Sequence, residues 1–399
     1  MKTRIAVFFG GRSPEHDVSV VTGLQALAAL DQTRFDAFAV YVTPQGDWLV
    51  GPGLEERRNY LPDAQLRAKL IEVTIDIAAG GGGRLSARKS GMFSRRPPQE
   101  FDVALLAFHG SGGEDGQMQG LFEVANIPYT GMRTLASSVL MDKAVTKRAL
   151  EGSGIPLLGQ AVIDRPGTGL PSAGALSEAM QAANIGFPCI VKPVHLGSSI
   201  GVGKADDIEE ARAWLAAIFR LDTQALIEPF VPNLVEYNVS VAHLGEATRC
   251  SAIERPKRVE ELLDFRQKYL SGGDNKTGGK VLGQSSQGML SLTREINPDI
   301  PPAFADSLRR WASAAFEAVG GTGAPRIDFL CNEATGEVWL NEVNPCPGSF
   351  GFYLWEAAPQ PIGFTALLSL LIDEAQACHR AVQLADDPVP PDARLLKRP

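Results

Sequence analysis

Val338-Trp339-Leu340-Asn341-Glu342-Val343-Asn344-Pro345-Cys346-Pro347-Gly348 reads as a short apolar strand ending in a proline-glycine turn. Side chains alternate across a strand, so Glu342 and Asn344 share one face. Upstream, Ile327-Asp328-Phe329-Leu330 reads as a second strand, and Ala334-Thr335-Gly336 as the hairpin turn between them. With Thr335 at the centre of that turn, Asp328 falls opposite Glu342. Three oxygen ligands, Asp328, Glu342 and Asn344, then converge on paired strands, a set suited to Mg2+ gripping phosphate oxygens. The plainer reading is a solvated acidic patch at a sheet edge, and the rest of the chain has to decide between the two.

A chain of 399 residues with 44% hydrophobic and 21% charged residues has material for two or three domains and no sign of wholesale disorder. The formal charge of −8 disfavours a nucleic-acid partner, which requires a concentrated basic face. The five cysteines are scattered without metal-ligand spacing, which fits a reduced, cytoplasmic setting. No secretory signal or membrane-spanning run is legible, so no membrane partner is expected.

Ile5 to Phe9 is an unbroken apolar run, as a parallel strand covered on both faces requires. Ser13 and Pro14 read as the N-cap and first position of a helix with Val20, Leu24, Leu27 and Ala28 on one side; Glu15 falls in its first turn, where the helix dipole favours a carboxylate. Ala37 to Val42 continues a βαβ unit, and the stretch from Gly80 to Pro98 reads as loop with room for a short hairpin. Phe101 to Phe108 is a third strand emptying into His109-Gly110-Ser111-Gly112-Gly113-Glu114-Asp115-Gly116, the kind of turn where doubly wound sheets bind ligands. Ser137 to Leu150 reads as one helix carrying Asp142 and Lys143.

Phe187 to Lys192 reads as a strand running into Gly197-Ser198-Ser199-Ile200-Gly201, whose small residues let backbone N–H groups close on phosphate oxygens beside the Lys192 charge. Its spacing is neither a P-loop nor a dinucleotide fingerprint. Ala225 to Val231, Glu236 to Leu244 and Ala247 to Glu254 read as strands, Pro302 to Val319 as a helix, and a last apolar helix runs through Leu371. The long polar segment from Arg255 to Met289 has the character of a lid.

These stretches, in order, resemble the D-alanine–D-alanine ligases of the ATP-grasp superfamily from about Ile5 to Leu371. The resemblance rests on Gly10-Gly11-x-Ser13-x-Glu15-His16, His109-Gly110-x-Gly112-Gly113-Glu114-Asp115-Gly116, Met141-Asp142-Lys143, Lys192-Pro193-x-x-x-Gly197-Ser198-Ser199, Lys268-Tyr269, Arg326-Ile327-Asp328 and Asn341-Glu342-x-Asn344-x-x-Pro347-Gly348. It implies an α/β fold. A doubly wound parallel-sheet domain (1–135) would precede a two-subdomain α+β ATP-grasp module (136–224 and 225–378) with a lid at 255–289 and a flexible tail at 379–399. It further implies ATP-driven joining of two D-alanines through an acylphosphate for peptidoglycan precursor synthesis, and, by family analogy, a homodimer.

Carried over residue by residue, Lys143 and Lys192 would hold phosphates, with Ser198 and Ser199 in the loop over them. Glu228 and Glu236 would bind adenine and ribose, Phe230 and Val231 would cover the ring, and Lys268 and Asn341 complete the ATP set. Asp328, Glu342 and Asn344 would ligate two Mg2+ ions (or Mn2+). Glu15 would hold the first substrate's ammonium and join Ser198 and Tyr269 in latching the lid. Arg326 and the Gly348 N–H would stabilise the oxyanion. The chain departs from the family after Gly348, where Tyr353 replaces the serine that binds the acceptor carboxylate; Ser349 and Tyr353 are the acceptor candidates. A different acceptor amino acid or hydroxy acid is the alternative. An inactive ATP-binding regulator is disfavoured, since every charged position the chemistry requires is present.

Overall fold

The computed structural model describes residues 2–60, 64–78, 82–88, 97–245, 247–257 and 294–383, and the structural statements that follow concern these residues. Three sheets organise them. The first runs in the order β6-β5-β4-β3-β2-β1-β7. At its centre β1 (Thr3–Gly10) pairs in parallel with β2 (Phe35–Val42) and β7 (Val103–Leu106). Buried between two parallel neighbours and two layers of side chains, β1 has no room for polar residues from Ile5 to Phe9. Ile5, Val7 and Phe9 face the helices His16–Ala29 and Phe364–Val382, while Ala6 and Phe8 pack with Phe101, Phe122 and Tyr129 on the other face.

Within the stretch expected as loop, 80–98, Gly83–Ala87 is a strand of this sheet, and 80–81 and 89–96 lie outside the described residues. β3 (Trp48–Val50), β4 (Ile71–Ile75), β5 (Gly83–Ala87) and β6 (Gln99–Phe101) pair antiparallel outward from β2. Phe101 therefore ends β6, and the apolar run from Phe101 is two strand segments rather than one. The first helix also starts later than expected. Ser13 forms a turn, its Oγ accepting from Glu15 N at 3.0 Å, and the helix begins at His16 with Ala28 exposed.

The second sheet is β10-β9-β11-β8, antiparallel throughout: β8 (Ala161–Asp164), β9 (Cys189–Pro193), β10 (Gly203–Ala205) and β11 (Gln224–Pro229). It packs on the helices Ala173–Ala182 and Ile208–Ile218. Because β11 pairs with β9 and β8, this sheet carries on past the expected division at 224/225 to Pro229. The stretch expected as one helix over Ser137–Leu150 breaks at Asp142, which leaves the helical conformation and caps the next helix, Lys143–Leu150, by accepting from Val145 N at 2.8 Å. Lys143 thereby stands at a helix start.

The third sheet, β14-β13-β12-β15-β16, is antiparallel, with β12 (Leu234–Leu244), β13 (Ala247–Pro256), β14 (Arg294–Ile296), β15 (Arg326–Asn332) and β16 (Val338–Asn344). One face buries Val239, Val241, Ile253, Ile327, Phe329 and Val343 against the helix Pro302–Ala318. Alternation sends Asn238, Ser240, Glu254, Arg326, Asp328, Glu342 and Asn344 to the opposite face. A bulge skips Asn341: Phe329 pairs with Leu340, and Asp328 then pairs with Glu342. The expected opposition of Asp328 and Glu342 is present, by way of that extra residue.

The last helix runs to Val382, so residues 379–382 are helical; 384–399 lie outside the described residues. Leu367, on that helix, is fully buried against the first sheet. Leu367→Ala is expected to destabilise the chain by about 2–5 kcal/mol, read as a lowered thermal or urea midpoint; an unchanged midpoint would refute the packing of this helix on β1.

Candidate active site

The polar face of the third sheet is opposed by three loops: those after β1 and β7, and the small-residue loop after β9. The loop after β7 meets it through Glu114, which bonds Asn344 and Cys346, and the loops after β1 and β9 meet each other at Glu15 and Ser198. Ser198 Oγ donates to Glu15 Oε1, joining the loop after β9 to the turn after β1. A Cβ at Gly197 would lie 3.3 Å from the Glu15 carboxylate, and one at Gly110, where φ is +73°, 2.6 Å from it, so both loops approach Glu15 closely. Ser198, Ser199 and Gly201 adopt left-handed φ of 53°, 58° and 74°, a turn whose backbone N–H groups can converge on an anion.

Two lysines stand beside this loop. Lys143 Nζ donates to Leu196 O at 2.7 Å and pairs with Glu342 at 3.3 Å. Lys192 Nζ lies 2.6 Å from Glu228 and 3.0 Å from Asn341 Oδ1. Glu228 is 2% exposed, and its other oxygen is taken by Lys147, which also donates to Leu158 O at 3.2 Å. Burial pushes the Glu228 carboxyl up, but Lys192 and Lys147 outweigh it and hold its pKa at about 2. Lys147 was not singled out in the sequence. The signal was there: it follows Lys143 by four residues, one helical turn along the same face. Phe230 and buried Val231 follow Glu228, and Glu236 sits on β12 opposite Leu330.

On the sheet face Arg326 grips Asp328 with a fork, Nε to Oδ1 and Nη2 to Oδ2, both 2.6 Å. A guanidinium has five N–H donors, so three remain for other oxygens. Arg326 pairs across the strands with Asn344, and Asp328 with Glu342. The Asn344 amide nitrogen, oriented by its surroundings, donates to Glu114 Oε1 and Cys346 O, both at 3.1 Å. Glu114 further accepts from Gly110 N at 2.5 Å and Cys346 N at 2.9 Å. Burial, reinforced by the charge of Glu15, pushes Glu114 up to about 8. Glu114, part of the glycine-rich motif after β7, ties that loop to the Pro345–Pro347 turn.

Among the described residues no three His, Cys, Asp or Glu side chains are prearranged around a cation position. Asp328 and Glu342 each face a cationic side chain instead. Gly348 opens a tight turn, Gly348–Gly351, in which Ser349 and Phe350 are left-handed. Neither acceptor candidate turns its hydroxyl to an open pocket. Ser349 Oγ donates to Gln25 Oε1 and its N–H to Thr22 Oγ1 at 3.1 Å, while Tyr353 OH donates to Glu254 at 3.0 Å. Lys268 and Tyr269, with the lid expected at 255–289, fall almost wholly in 258–293, outside the described residues.

His195 anchors the root of the loop after β9. Its Nδ1 lies 2.8 Å from Asp222, which also accepts the His195 N–H at 2.8 Å, and its Nε2 lies 3.5 Å from Asp142. Asp222 chiefly, against burial and with Asp142 adding, raises the imidazole pKa above its ordinary 6.5. Stability from this pairing is therefore complete below about pH 6.5 and fades as pH rises through the raised value. His195→Asn is expected to melt several degrees lower than the unaltered chain at acid pH, with the gap closing above neutrality; a pH-independent gap in a melting series would refute it.

Comparison with known proteins follows the same lines. Residues 4–132 match the model of the D-ala D-ala ligase N-terminus, and residues 150–373 that of the D-ala D-ala ligase C-terminus. The D-alanine–D-alanine ligase of Chlorobium chlorochromatii is 34% identical over 358 residues, 87% of this chain and 90% of that protein. That of Sodalis glossinidius is 32% identical over 384 residues, 95% and 96% of the two chains. Among solved structures, the D-alanine–D-alanine ligase of Coxiella burnetii superposes with a TM-score of 0.74 at 22% identity, covering 95% of each chain. A D-Ala:D-Ser ligase from Enterococcus faecalis gives 0.71 at 23% identity over 94% of this chain and 100% of its own. The fold is that of the ATP-grasp ligases, and the chain belongs to the D-alanine–D-alanine ligase family.

Proposed function

We propose that this chain uses ATP to join two D-alanines into D-alanyl-D-alanine, a building block of peptidoglycan precursors. The observation that carries the reading is the meeting of Glu15 with Ser198, within reach of two lysines and a sheet face bearing Arg326, Asp328, Glu342 and Asn344. Relatives at 30–34% identity across most of the chain bear the name D-alanine–D-alanine ligase, which favours D-alanine over the alternative acceptors.

In this reading Lys143 and Lys192 exchange their carboxylate partners for ATP phosphates, and the left-handed Ser198-Ser199 turn closes over them. Glu228 and Glu236 hold adenine and ribose, with Phe230 and Val231 as the apolar cover. Asp328, Glu342 and Asn344 are the oxygen set for two Mg2+ ions, which, when bound, offset phosphate charge. The donors fit a hard cation: two carboxylates and an amide on one side of paired strands.

Glu15 orients the first D-alanine by its ammonium, so that its carboxylate takes the γ-phosphoryl group and becomes an acylphosphate. The amine of the second D-alanine then attacks the acyl carbon. The three donors that Arg326 does not spend on Asp328, with the Gly348 N–H, receive the oxyanion that forms. Expulsion of phosphate from the tetrahedral intermediate completes the peptide bond. Positioning and charge neutralisation supply most of the rate.

The test is ADP release by the purified chain with D-alanine, with the product mass determined. Dipeptide and stoichiometric ADP are expected; ADP only with some other amine or hydroxy acid would sink the reading. Glu342→Gln is expected to lower turnover by roughly 100-fold or more while leaving the fold intact by circular dichroism. Undiminished turnover would remove Glu342 from the metal set.

A further inference from the structure

Glu228 is shared by two lysines, and the two are not equivalent. Lys192 Nζ reaches Glu228 Oε2 at 2.6 Å and Asn341 Oδ1 at 3.0 Å, so it spans from the second sheet to the third, beside the small-residue loop. Lys147 Nζ meets the other oxygen, Oε1, and donates to Leu158 O at 3.2 Å. With 3% of its surface exposed, Lys147 is committed inside the protein.

Sheet pairing explains the meeting. Lys192 pairs with Leu226 and Ile190 with Glu228, so Lys192, Leu226 and Glu228 share one face of β9 and β11. Val191 and Ile227 turn into the core on the other face. The helix Lys143–Leu150 lies against the first face, where its Ala144 packs with Val194 and Leu226. Lys147 follows Ala144 by three residues, on the same side of the helix, and meets Glu228 near the end of β11.

In the proposed reading Lys192 passes to the ATP phosphates while Glu228 receives adenine. A buried carboxylate stripped of its only cation is strongly destabilised and takes up a proton instead. Lys147 removes that difficulty: it stays on Oε1 while Oε2 is released as an ionised acceptor. The surrounding charges favour the exchange. Burial lowers the Lys147 pKa, Glu228 draws it back up and Lys192 pushes it down, so the departure of Lys192 strengthens the Lys147 ammonium.

The ionisation state of Glu228 decides which base it accepts. An ionised carboxylate can only accept hydrogen bonds, and the exocyclic amino group of adenine is a donor. A purine with a carbonyl oxygen at that position sets acceptor against acceptor. A protonated Glu228 loses the distinction, because its O–H donates to that oxygen.

Resting on the ligase reading, we propose that Lys147 is a positioning residue for nucleotide choice: it keeps Glu228 a free carboxylate when Lys192 moves to the phosphates. The site thereby selects a purine that carries an amino group over one that carries an oxygen in its place.

The test is calorimetric binding of ATP and of ITP, which differ at that position, to the full chain with Mg2+ and without D-alanine. The unaltered chain is expected to prefer ATP by about 100-fold or more, as sites built to hydrogen-bond one group reject analogues that lack it. Lys147→Met, or the polar Lys147→Gln should the first not fold, is expected to bring the preference below about tenfold, chiefly by weakening ATP. A lysine that only supported the fold would weaken both nucleotides equally. An unchanged ratio in a variant that still binds ATP therefore overturns the assignment, and so does an unaltered chain that binds ITP as tightly as ATP. A folded variant that binds neither nucleotide overturns it too, since ITP has no need of an ionised Glu228. Joining of D-alanine is measured separately: an unaltered chain that shows the ATP preference yet makes no dipeptide sinks the ligase reading and leaves the role of Lys147 in place.

Discussion

Charges inside this protein are neutralised by one another, and that constraint shapes the site. Lys143 faces Glu342, Lys192 and Lys147 share Glu228, Arg326 holds Asp328, and Arg294 holds Glu254. A buried charge without a partner is strongly destabilising, so groups this charged can be gathered in one place only as mutual partners. In the proposed reading, the lysines assigned to ATP phosphates are the ones paired here with the carboxylates assigned to adenine and metal. Binding is then an exchange of partners rather than the filling of an empty field. Its cost is offset because each released carboxylate meets a new positive or hydrogen-bonding group.

The two-faced third sheet makes such an arrangement possible. An odd-even alternation puts Val239, Ile327 and Val343 against a helix, which fixes the register firmly, because a slip by one residue would turn the charged row into the core. The bulge at Asn341 is the one exception to regular pairing between β15 and β16, and it has a consequence. It lets Leu340 remain in the core while Glu342 stays level with Asp328, and it places Asn341 where its amide oxygen meets Lys192. A regular hairpin could satisfy the core or the carboxylate pair, but not both with the same turn.

Much of this was legible in the sequence because it rests on patterns local to a strand or turn. The apolar run Ile5–Phe9 announces a doubly covered parallel strand, and a hairpin turn near Thr335 brings Asp328 and Glu342 near each other, the bulge at Asn341 completing the pairing. Features that depend on direction rather than spacing were not legible. Nothing in the order Gly348-Ser349-Phe350-Gly351-Phe352-Tyr353 says that the backbone turns left-handed at Ser349 and Phe350, and that turn sends the serine hydroxyl to Gln25. Nor does a lone Asp142 announce that it will break a helix and cap its second half. Gly83–Ala87 joins the first sheet because an edge strand was available to it, a tertiary reason that its own composition does not carry.

Glu15 shows how these separate loops become a single site. It follows β1, in the first sheet; its partner Ser198 follows β9, in the second; and its nearest buried carboxyl, Glu114, follows β7 and is bonded to Cys346 beyond β16, in the third. The like charge of Glu15 helps to push Glu114 up to about 8, so Glu114 is favoured in its neutral form at pH 7. A neutral Glu114 can bridge backbone and Asn344 without adding a second negative charge beside Glu15. Were both carboxyls ionised, their repulsion would act directly on the contact between the first and third sheets. A neutral Glu114 therefore spares the site a second negative charge beside Glu15, where two carboxylates side by side would oppose closure of the loops around them.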